Sequence, residues 1–128
     1  NNEHVSYLYR PLHPAILRMI RFVADAAAAA DKEVSICGEM AADPRLTPLL
    51  VGLGVRRLSM SPRMIPLVKR RLGQLDSATL SGLAEECLAQ RSTSDVERTL
   101  ESFLDRIEAA EGREATAHGG GSERRTTG

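Results

Sequence analysis

The 128-residue chain contains no tryptophan, and its two tyrosines and two phenylalanines bring the aromatic fraction to only 3%. Aromatic side chains are the usual platforms on which nucleic-acid bases stack, so the sequence offers little material for such a site. Charge of one sign is also lacking, because 17 Lys and Arg residues balance 17 Asp and Glu residues. We therefore predict a single aliphatic core and no nucleic-acid partner.

Cysteines and long hydrophobic runs are scarce as well. Cys37 and Cys87 are the two cysteines, and they form neither a disulfide framework nor a zinc-binding pattern with the three histidines. Charged residues interrupt the most apolar stretch, residues 15–30, which predicts no membrane insertion. The chain opens at Asn1 without an initiator Met or a signal peptide, so we expect a cytoplasmic fragment.

The first periodic segment predicts a helix. Apolar residues recur every three or four positions from Pro14 to about Ala30, and Pro14 suits the first turn because its missing N–H needs no partner there. The charged residues Arg18, Arg21 and Asp25 fall between the apolar ones. The pattern predicts an apolar face that packs on the core and a charged face opposite to it.

Two short segments have the composition of strands. Glu33–Cys37 contains two β-branched apolar residues and is followed by Gly38, which indicates a turn. Arg57–Met60 is a second, weaker candidate. The first of these predictions places Cys37 at the carboxyl end of a strand.

Four further segments carry helical signals, whereas the last residues carry none. Helices are predicted around Leu46–Leu53, after Ser61-Pro62 with an irregular first turn at Pro66, from Ser77, and behind a capping box of Ser94 and Glu97. Residues 111–128 are Gly, Ser, Thr and charged residues without a period. We expect one domain over residues 1–110 and a disordered tail over residues 111–128.

The order of these elements is typical of a parallel α/β protein. Two strands are too few for a parallel sheet covered on both faces, and a complete (β/α)8 barrel takes about 250 residues. We therefore interpret the chain as a portion of a (β/α)8 TIM barrel, with about two strands and five helices. It is incomplete as a barrel on its own.

The densest cluster of candidate functional residues is Cys37-Gly38-Glu39. Barrels and open α/β sheets bind their ligands at the carboxyl ends of the strands, where a thiol can serve as nucleophile, acid or base. A small buried residue at a strand end is the alternative for Cys37. Glu39 is either a general base or a hydrogen-bond partner of the next turn. Cys87 lies on the apolar stripe of its helix, and we predict that it belongs to the core.

Several segments in unbroken order, over about residues 5–107, strongly resemble the carboxy-terminal end of the Enzyme I family. These enzymes are the phosphoenolpyruvate-protein phosphotransferases of the bacterial phosphotransferase system, which include a nitrogen-regulatory branch. The resemblance is carried by Leu8–Ala15, by Cys37–Ala41 with Asp43-Pro44, by Leu49–Gly54 and by Leu58–Ser61. Pyruvate phosphate dikinases and phosphoenolpyruvate synthases share the Cys-Gly-Glu core and are the second possibility.

The resemblance implies an enzyme that passes the phosphoryl group of phosphoenolpyruvate (PEP) to a protein histidine and releases pyruvate. It implies that Cys37 is the acid that protonates the enolate, which suits a thiol because ordinary thiols are protonated at neutral pH. Gly38 and Glu39 match the motif as possible substrate-binding residues. The implied partners are the phosphocarrier protein HPr or its paralogue, and a second copy in a homodimer.

The resemblance also implies the family's Mg²⁺ cofactor. Three sets of residues belong to upstream parts of such enzymes: the carboxylates that bind Mg²⁺, the arginines that hold the phosphate, and the histidine that is phosphorylated. We therefore expect no metal site in this chain, and we expect the isolated chain to be inactive. Two readings compete with an enzyme segment. One is a truncated, non-catalytic remnant that acts as a binding module, and the other, ranked last, is a thiol redox protein without a resolving cysteine near Cys37.

Overall fold

The computed structural model describes residues 12–119, and within that range the chain forms six helices and two short strands. The helices are α1 (Pro14–Ala29), α2 (Glu39–Ala42), α3 (Thr47–Gly52), α4 (Ile65–Gly73), α5 (Ser77–Leu88) and α6 (Thr93–Gly119), and the strands are β1 (Ser35–Cys37) and β2 (Arg57–Ser59). The α/β class is confirmed. The one-turn helix α2 is additional to the five predicted helices, because four residues are too few to show a period.

The strands β1 and β2 lie side by side in parallel. The register pairs Ser35 with Arg57, Ile36 with Leu58, and Cys37 with Ser59. Both strands end where the sequence placed them, to within one residue, but β1 begins two residues later than predicted. Within residues 12–119 no third strand joins this pair, so neither outer edge has a described partner strand.

The hydrophobic core lies among the helices. Its buried members are aliphatic apart from one phenylalanine and one cysteine, as the low aromatic content predicts. They are Leu12, Leu17, Leu46, Leu49, Leu53, Leu83, Ala84, Cys87, Val96, Leu100, Phe103, Leu104 and Ile107. The helices α3, α5 and α6 therefore form a packed unit beside the two-stranded sheet.

A glycine sets the distance between α3 and α5. A Cβ atom added to Gly52 would lie 2.2 Å from the carbonyl oxygen of Leu80, which belongs to the backbone of α5. Real Cβ atoms do not approach that closely, so the two helix backbones touch only because residue 52 has no side chain. Gly52 is the last residue of α3, one residue before the end of the predicted helix, and its close approach to α5 is visible only in the tertiary structure.

The helix α1 docks with its arginines toward the other helices. The Arg18 guanidinium donates to the backbone oxygens of Leu88 and Gln90, at 3.4 and 3.2 Å, and so binds the carbonyl end of α5. Arg21 lies 2.9 Å from the carboxylate of Glu85 and also reaches the oxygen of Gly52. A cation at a helix C-terminus stabilises unpaired carbonyl groups and the negative end of the helix dipole.

The opposite side of α1 is apolar and exposed. Phe22 is 75% exposed, Met19 66% and Val23 50%, and Ile16 is exposed as well. The helix spans the predicted residues, but the prediction of its apolar face is wrong for Ile16 and Val23, which share the predicted spacing and are exposed. Met19 and Phe22 lie outside that spacing. We call Ile16, Met19, Phe22 and Val23 the open face of α1.

The last helix differs from the sequence prediction at both ends. Its N-cap is Ser92, whose hydroxyl accepts from the Asp95 backbone N–H at 3.1 Å, so the expected capping box of Ser94 and Glu97 is wrong by two positions. The expected tail over residues 111–128 is also wrong in part, because α6 continues through Gly119. Residues 120–128 lie outside the described range.

The irregular first turn at Pro66 is confirmed, since α4 begins at Ile65 with Pro66 in its first turn.

Candidate functional site

The candidate site lies at the carboxyl ends of the two strands. Cys37 is the last residue of β1 and Ser59 is the last residue of β2, and the register places them opposite each other. Side chains of paired residues in neighbouring strands point to the same face of a sheet. The Cys37 thiol and the Ser59 hydroxyl are therefore neighbours on one face, and both residues are exposed.

The two faces of the sheet differ in polarity. Ile36 and Leu58, in the middle of each strand, are half-buried. The residues on either side of them are exposed and polar: Ser35, Cys37, Arg57 and Ser59. The thiol thus stands on an open polar face, which contradicts the alternative of a buried apolar residue at a strand end.

An ion pair lies near the other end of this polar face. Arg57 begins β2, and its Nε atom donates to the carboxylate of Glu33, which precedes β1. Because side chains alternate along a strand, Arg57 shares the face of Ser59 and lies two residues from it. The sequence analysis did not single out Glu33, Arg57 or Ser59, since the register that brings them together is a tertiary feature. The available signal was that Glu33 and Arg57 begin the two predicted strands and that Ser59 lies within the second of them.

Gly38 is the residue that turns the chain out of β1. Its φ is +79°, a left-handed conformation that side chains other than hydrogen disfavour. No atom lies within 4 Å of a Cβ built there, so the conformation, not a lack of space, favours glycine. Gly38 thus forms the turn that ends β1, directly after the residue that carries the thiol.

Glu39 follows at the first position of α2 and is exposed. Among the hydrogen bonds and ion pairs of the described residues, none involves its carboxylate, so it does not bind the next turn in this conformation. The structure therefore places Glu39 next to the thiol in sequence and leaves its carboxylate open to solvent.

Cys87 has the opposite environment. It is fully buried in the core on α5, as predicted. Burial, with a smaller contribution from the charge of Glu86, raises the pKa of the Cys87 thiol to about 11. A thiol that is buried and hard to ionise is chemically inert. Of the two cysteines, only Cys37 is placed to react.

Two clefts lie among the helices, away from these residues. One, of about 390 Å³, lies between α5 and α6 and is lined by Leu83, Glu86, Phe103 and Arg106, among others. The other, of about 270 Å³, is lined by Leu67, Arg70, Arg71 and Glu111, among others. Neither is lined by the Cys37-Gly38-Glu39 cluster, so the candidate chemistry stays at the sheet edge.

The part of the chain that the structure describes holds neither a candidate metal cluster nor a candidate membrane span. No group of three or more His, Cys, Asp or Glu side chains there is arranged to hold a metal ion. The described residues therefore do not fit the Mg²⁺ that the resemblance implies. No helix among residues 12–119 has the length and apolar character needed to cross a membrane.

Comparisons with known proteins place the sequence in context. Residues 1–77 match the family described as PEP-utilising enzyme, PEP-binding domain. Over 103 residues, 80% of this chain, the sequence is 45% identical to the multiphosphoryl transfer protein of Escherichia coli O6:H1 and 36% identical to the phosphoenolpyruvate-protein phosphotransferase of Haemophilus influenzae. It is 40% identical over 102 residues to the phosphoenolpyruvate-protein phosphotransferase of Listeria monocytogenes. The chain spans 12% of the length of the first of these proteins and 18% of the other two.

Proposed function

Because this chain belongs to the family of PEP-utilising enzymes, through their PEP-binding domain, we propose that it is part of a phosphoenolpyruvate-protein phosphotransferase. The whole enzyme transfers the phosphoryl group of PEP to a protein histidine and releases pyruvate. The observation that carries the proposal is the exposed Cys37 thiol at the carboxyl end of a parallel strand. The names of the relatives favour this reaction over that of a pyruvate phosphate dikinase or PEP synthase.

In this proposal, β1 and β2 are two neighbouring strands at the carboxy-terminal end of a (β/α)8 barrel. An isolated parallel pair of three-residue strands is not a stable unit, so both edges call for further strands. The polar face with Cys37 and Ser59 then faces the barrel interior, and the half-buried face of Ile36 and Leu58 turns toward the helices. The carboxyl ends of barrel strands are where catalytic residues stand, which agrees with the place of Cys37.

The proposed chemical role of Cys37 is that of an acid. Loss of the phosphoryl group leaves the enolate of pyruvate. The carbon–carbon double bond of the enolate takes the proton of the Cys37 thiol at its methylene carbon, while the enolate oxygen re-forms the carbonyl group. A C–H bond forms, the S–H bond breaks, and the thiol is left as a thiolate. In the reverse direction this thiolate removes a methyl proton of pyruvate.

The rest of the site must come from other parts of the whole enzyme. The described residues do not fit a Mg²⁺ site. Gly38 and Glu39 remain candidates for substrate contacts beside the thiol. The phosphocarrier protein HPr or its paralogue as acceptor, a homodimer and a cytoplasmic location complete the proposal for the whole protein.

A chimera tests the role of Cys37. The matching segment of the Listeria monocytogenes relative is replaced by that of this chain, and Mg²⁺-dependent exchange of pyruvate methyl protons in D₂O is measured by NMR. We expect exchange in the chimera and a loss of about 100-fold or more in its Cys37→Ala variant, the typical contribution of a positioned acid or base. The 128-residue chain alone should show no exchange.

The matched control is Cys87→Ala, which removes the buried thiol and should keep exchange at temperatures where the chimera is folded. Exchange that survives Cys37→Ala would contradict the proposal. So would a folded chimera without any exchange, or exchange by the isolated chain.

The open face of α1 favours a second candidate function, a binding module. An apolar stripe that contains Phe22 at 75% exposure is unusual for a surface that nothing covers. In a barrel enzyme the neighbouring strand and helix cover this stripe, whereas in a remnant a partner protein does. The two candidate functions differ in their dependence on Cys37. Cys37→Ala should abolish the activity of an enzyme segment, whereas it should not change the binding of a partner by a remnant.

A further inference from the structure

The residue opposite Cys37 in the neighbouring strand is Ser59, and its position favours a hydrogen bond to the thiol. Paired residues of neighbouring strands have backbones about 4.8 Å apart and side chains on the same face. Cys37 and Ser59 are such a pair, and each carries its polar atom one bond beyond Cβ. The two polar atoms do not form a hydrogen bond in this conformation, and rotations of the side chains about their Cα–Cβ bonds bring Oγ and Sγ toward each other.

Neither side chain has a competing partner in the part of the chain that is described. No hydrogen bond of residues 12–119 involves the Ser59 hydroxyl or the Cys37 thiol, and both residues are exposed. Ser35, the other serine on this face, stands two residues back from Cys37, about 6.6 Å along the strand. Its register partner is Arg57, which is paired with Glu33. Ser59 is thus the hydroxyl that the register places next to the thiol.

We propose that Ser59 is a positioning residue for Cys37, whose hydroxyl donates a hydrogen bond to Sγ and stabilises the thiolate that forms when the thiol gives up its proton. The catalytic meaning of this contact rests on the proposed function. In the forward reaction the S–H proton moves to the methylene carbon, and the Ser59 O–H donates to the lone pair left on sulfur. Hydrogen bonds to charged groups are stronger than those between neutral groups, so the contact favours the thiolate more than the thiol.

The charged groups on the elements next to Cys37 stay constant in the test. On its own side, Glu33 precedes β1 and Glu39 begins α2, which packs against both strands. On β2 the charged group of this face is Arg57. A change of Ser59 to Ala leaves all three in place and removes only a hydroxyl.

The test uses alkylation of the full 128-residue chain by iodoacetamide as a function of pH, with each cysteine followed separately by mass spectrometry. We expect Ser59→Ala to move the midpoint of the Cys37 profile upward by about half a pH unit to one unit, and to slow alkylation at neutral pH about two- to fourfold. Ser59→Thr keeps the hydroxyl and should keep the parent profile.

Ser35→Ala is the matched control, since it removes the same hydroxyl from the same face without touching the pair. It should leave the midpoint unchanged. Cys87 reports folding in every variant, because its buried thiol reacts only when the chain opens. An unchanged midpoint in folded Ser59→Ala, or an equal shift in Ser35→Ala, would overturn the inference.

The same variants in the chimera separate this inference from the proposed function. Exchange that survives Cys37→Ala, with the Ser59→Ala shift in alkylation intact, would remove the proposed function and leave the Ser59–Cys37 contact. Exchange that depends on Cys37, with an alkylation profile indifferent to Ser59→Ala, would keep the function and remove the contact.

Discussion

The two cysteines show how place decides the chemistry of one residue type. Cys37 ends a strand on an exposed polar face, whereas Cys87 lies among core side chains on α5. The sequence predicted both places, because the end of a β-branched run and an apolar helical stripe are local patterns. It did not predict the pair of Cys37 with Ser59 or the pair of Glu33 with Arg57. Both depend on the register between strands about twenty residues apart in sequence.

Burial of Cys87 has a consequence for stability at high pH. Because its pKa is raised to about 11 in the folded state from an ordinary value of 9.0, the folded chain holds this proton where the unfolded chain has lost it. The stability that this group contributes is complete below pH 9 and is lost as pH rises through about 11. We expect the free energy of unfolding to fall by about 2 kcal/mol more over this range in the parent than in Cys87→Ala.

Urea denaturation at several pH values between 8 and 11 checks this expectation (roughly the interval between the two pKa values). The comparison uses the slope against pH, since the small cavity in Cys87→Ala lowers stability at every pH. Equal slopes in parent and variant would show that the buried thiol does not contribute.

At the scale of the elements, contacts between helices depend on single small or charged residues. Gly52 allows α3 to touch the backbone of α5, and Arg18 binds the last carbonyl groups of α5 from α1. Periodicity predicted that these helices exist and, within a few residues, where they begin. It did not predict their contacts. The cap of α6 shows the same limit, because Ser92 and Ser94 both precede an acidic residue by three positions and only one of them caps the helix.

The pair Gly52 and Gly82 tests the close approach of α3 and α5. A Cβ at residue 52 meets the Leu80 carbonyl at 2.2 Å, whereas a Cβ at residue 82 meets nothing within 4 Å. We expect Gly52→Ala to lower the free energy of unfolding by about 2 kcal/mol or more, because the two backbones must move apart.

Gly82→Ala, inside α5, should instead raise the free energy of unfolding by up to about 1 kcal/mol, the helix propensity of alanine over glycine. Urea denaturation measures both. If Gly52→Ala had the same free energy of unfolding as the parent, α3 and α5 could move apart without a loss of stability, which would contradict this prediction.

At the scale of the whole molecule, the described residues 12–119 leave an apolar surface of α1 uncovered. Leu17 and Ala24 on one side of α1 are buried, while Met19, Phe22 and Val23 on the other side are exposed. The two strand edges without a partner strand among the described residues are a second surface of this kind. The proposal of a barrel segment and that of a binding module both follow from this surface.

The open face of α1 should make the isolated chain self-associate. Phe22→Glu places a charge on this face at a site 75% exposed, so we expect less association at a given protein concentration. The free energy of unfolding of the monomer should change by about 0.5 kcal/mol or less. Analytical ultracentrifugation over a range of concentrations measures the association.

Ala28→Glu is the control for this change. It adds the same charge to an exposed position of α1 that lies away from Phe22 around the helix. It should leave association as in the parent. Equal effects of the two variants would assign the change to net charge and not to the open face.

The sequence by itself determined the α/β class, the existence of five of the six helices of the described residues, the inert core position of Cys87 and the strand-end position of Cys37. These features are local, since periodicity, proline positions and strand ends are properties of neighbouring residues. Only the tertiary structure decided that Ser59 stands opposite Cys37, that Leu17 and Ala24 of α1 pack inward while Met19 and Phe22 face out, and that α6 runs on through residues 111–119. The first two depend on contacts between residues far apart in the chain, which no local pattern encodes. The continuation of α6 adds exposed residues to the end of a helix that is already packed, and adding turns to an existing helix is easier than starting one.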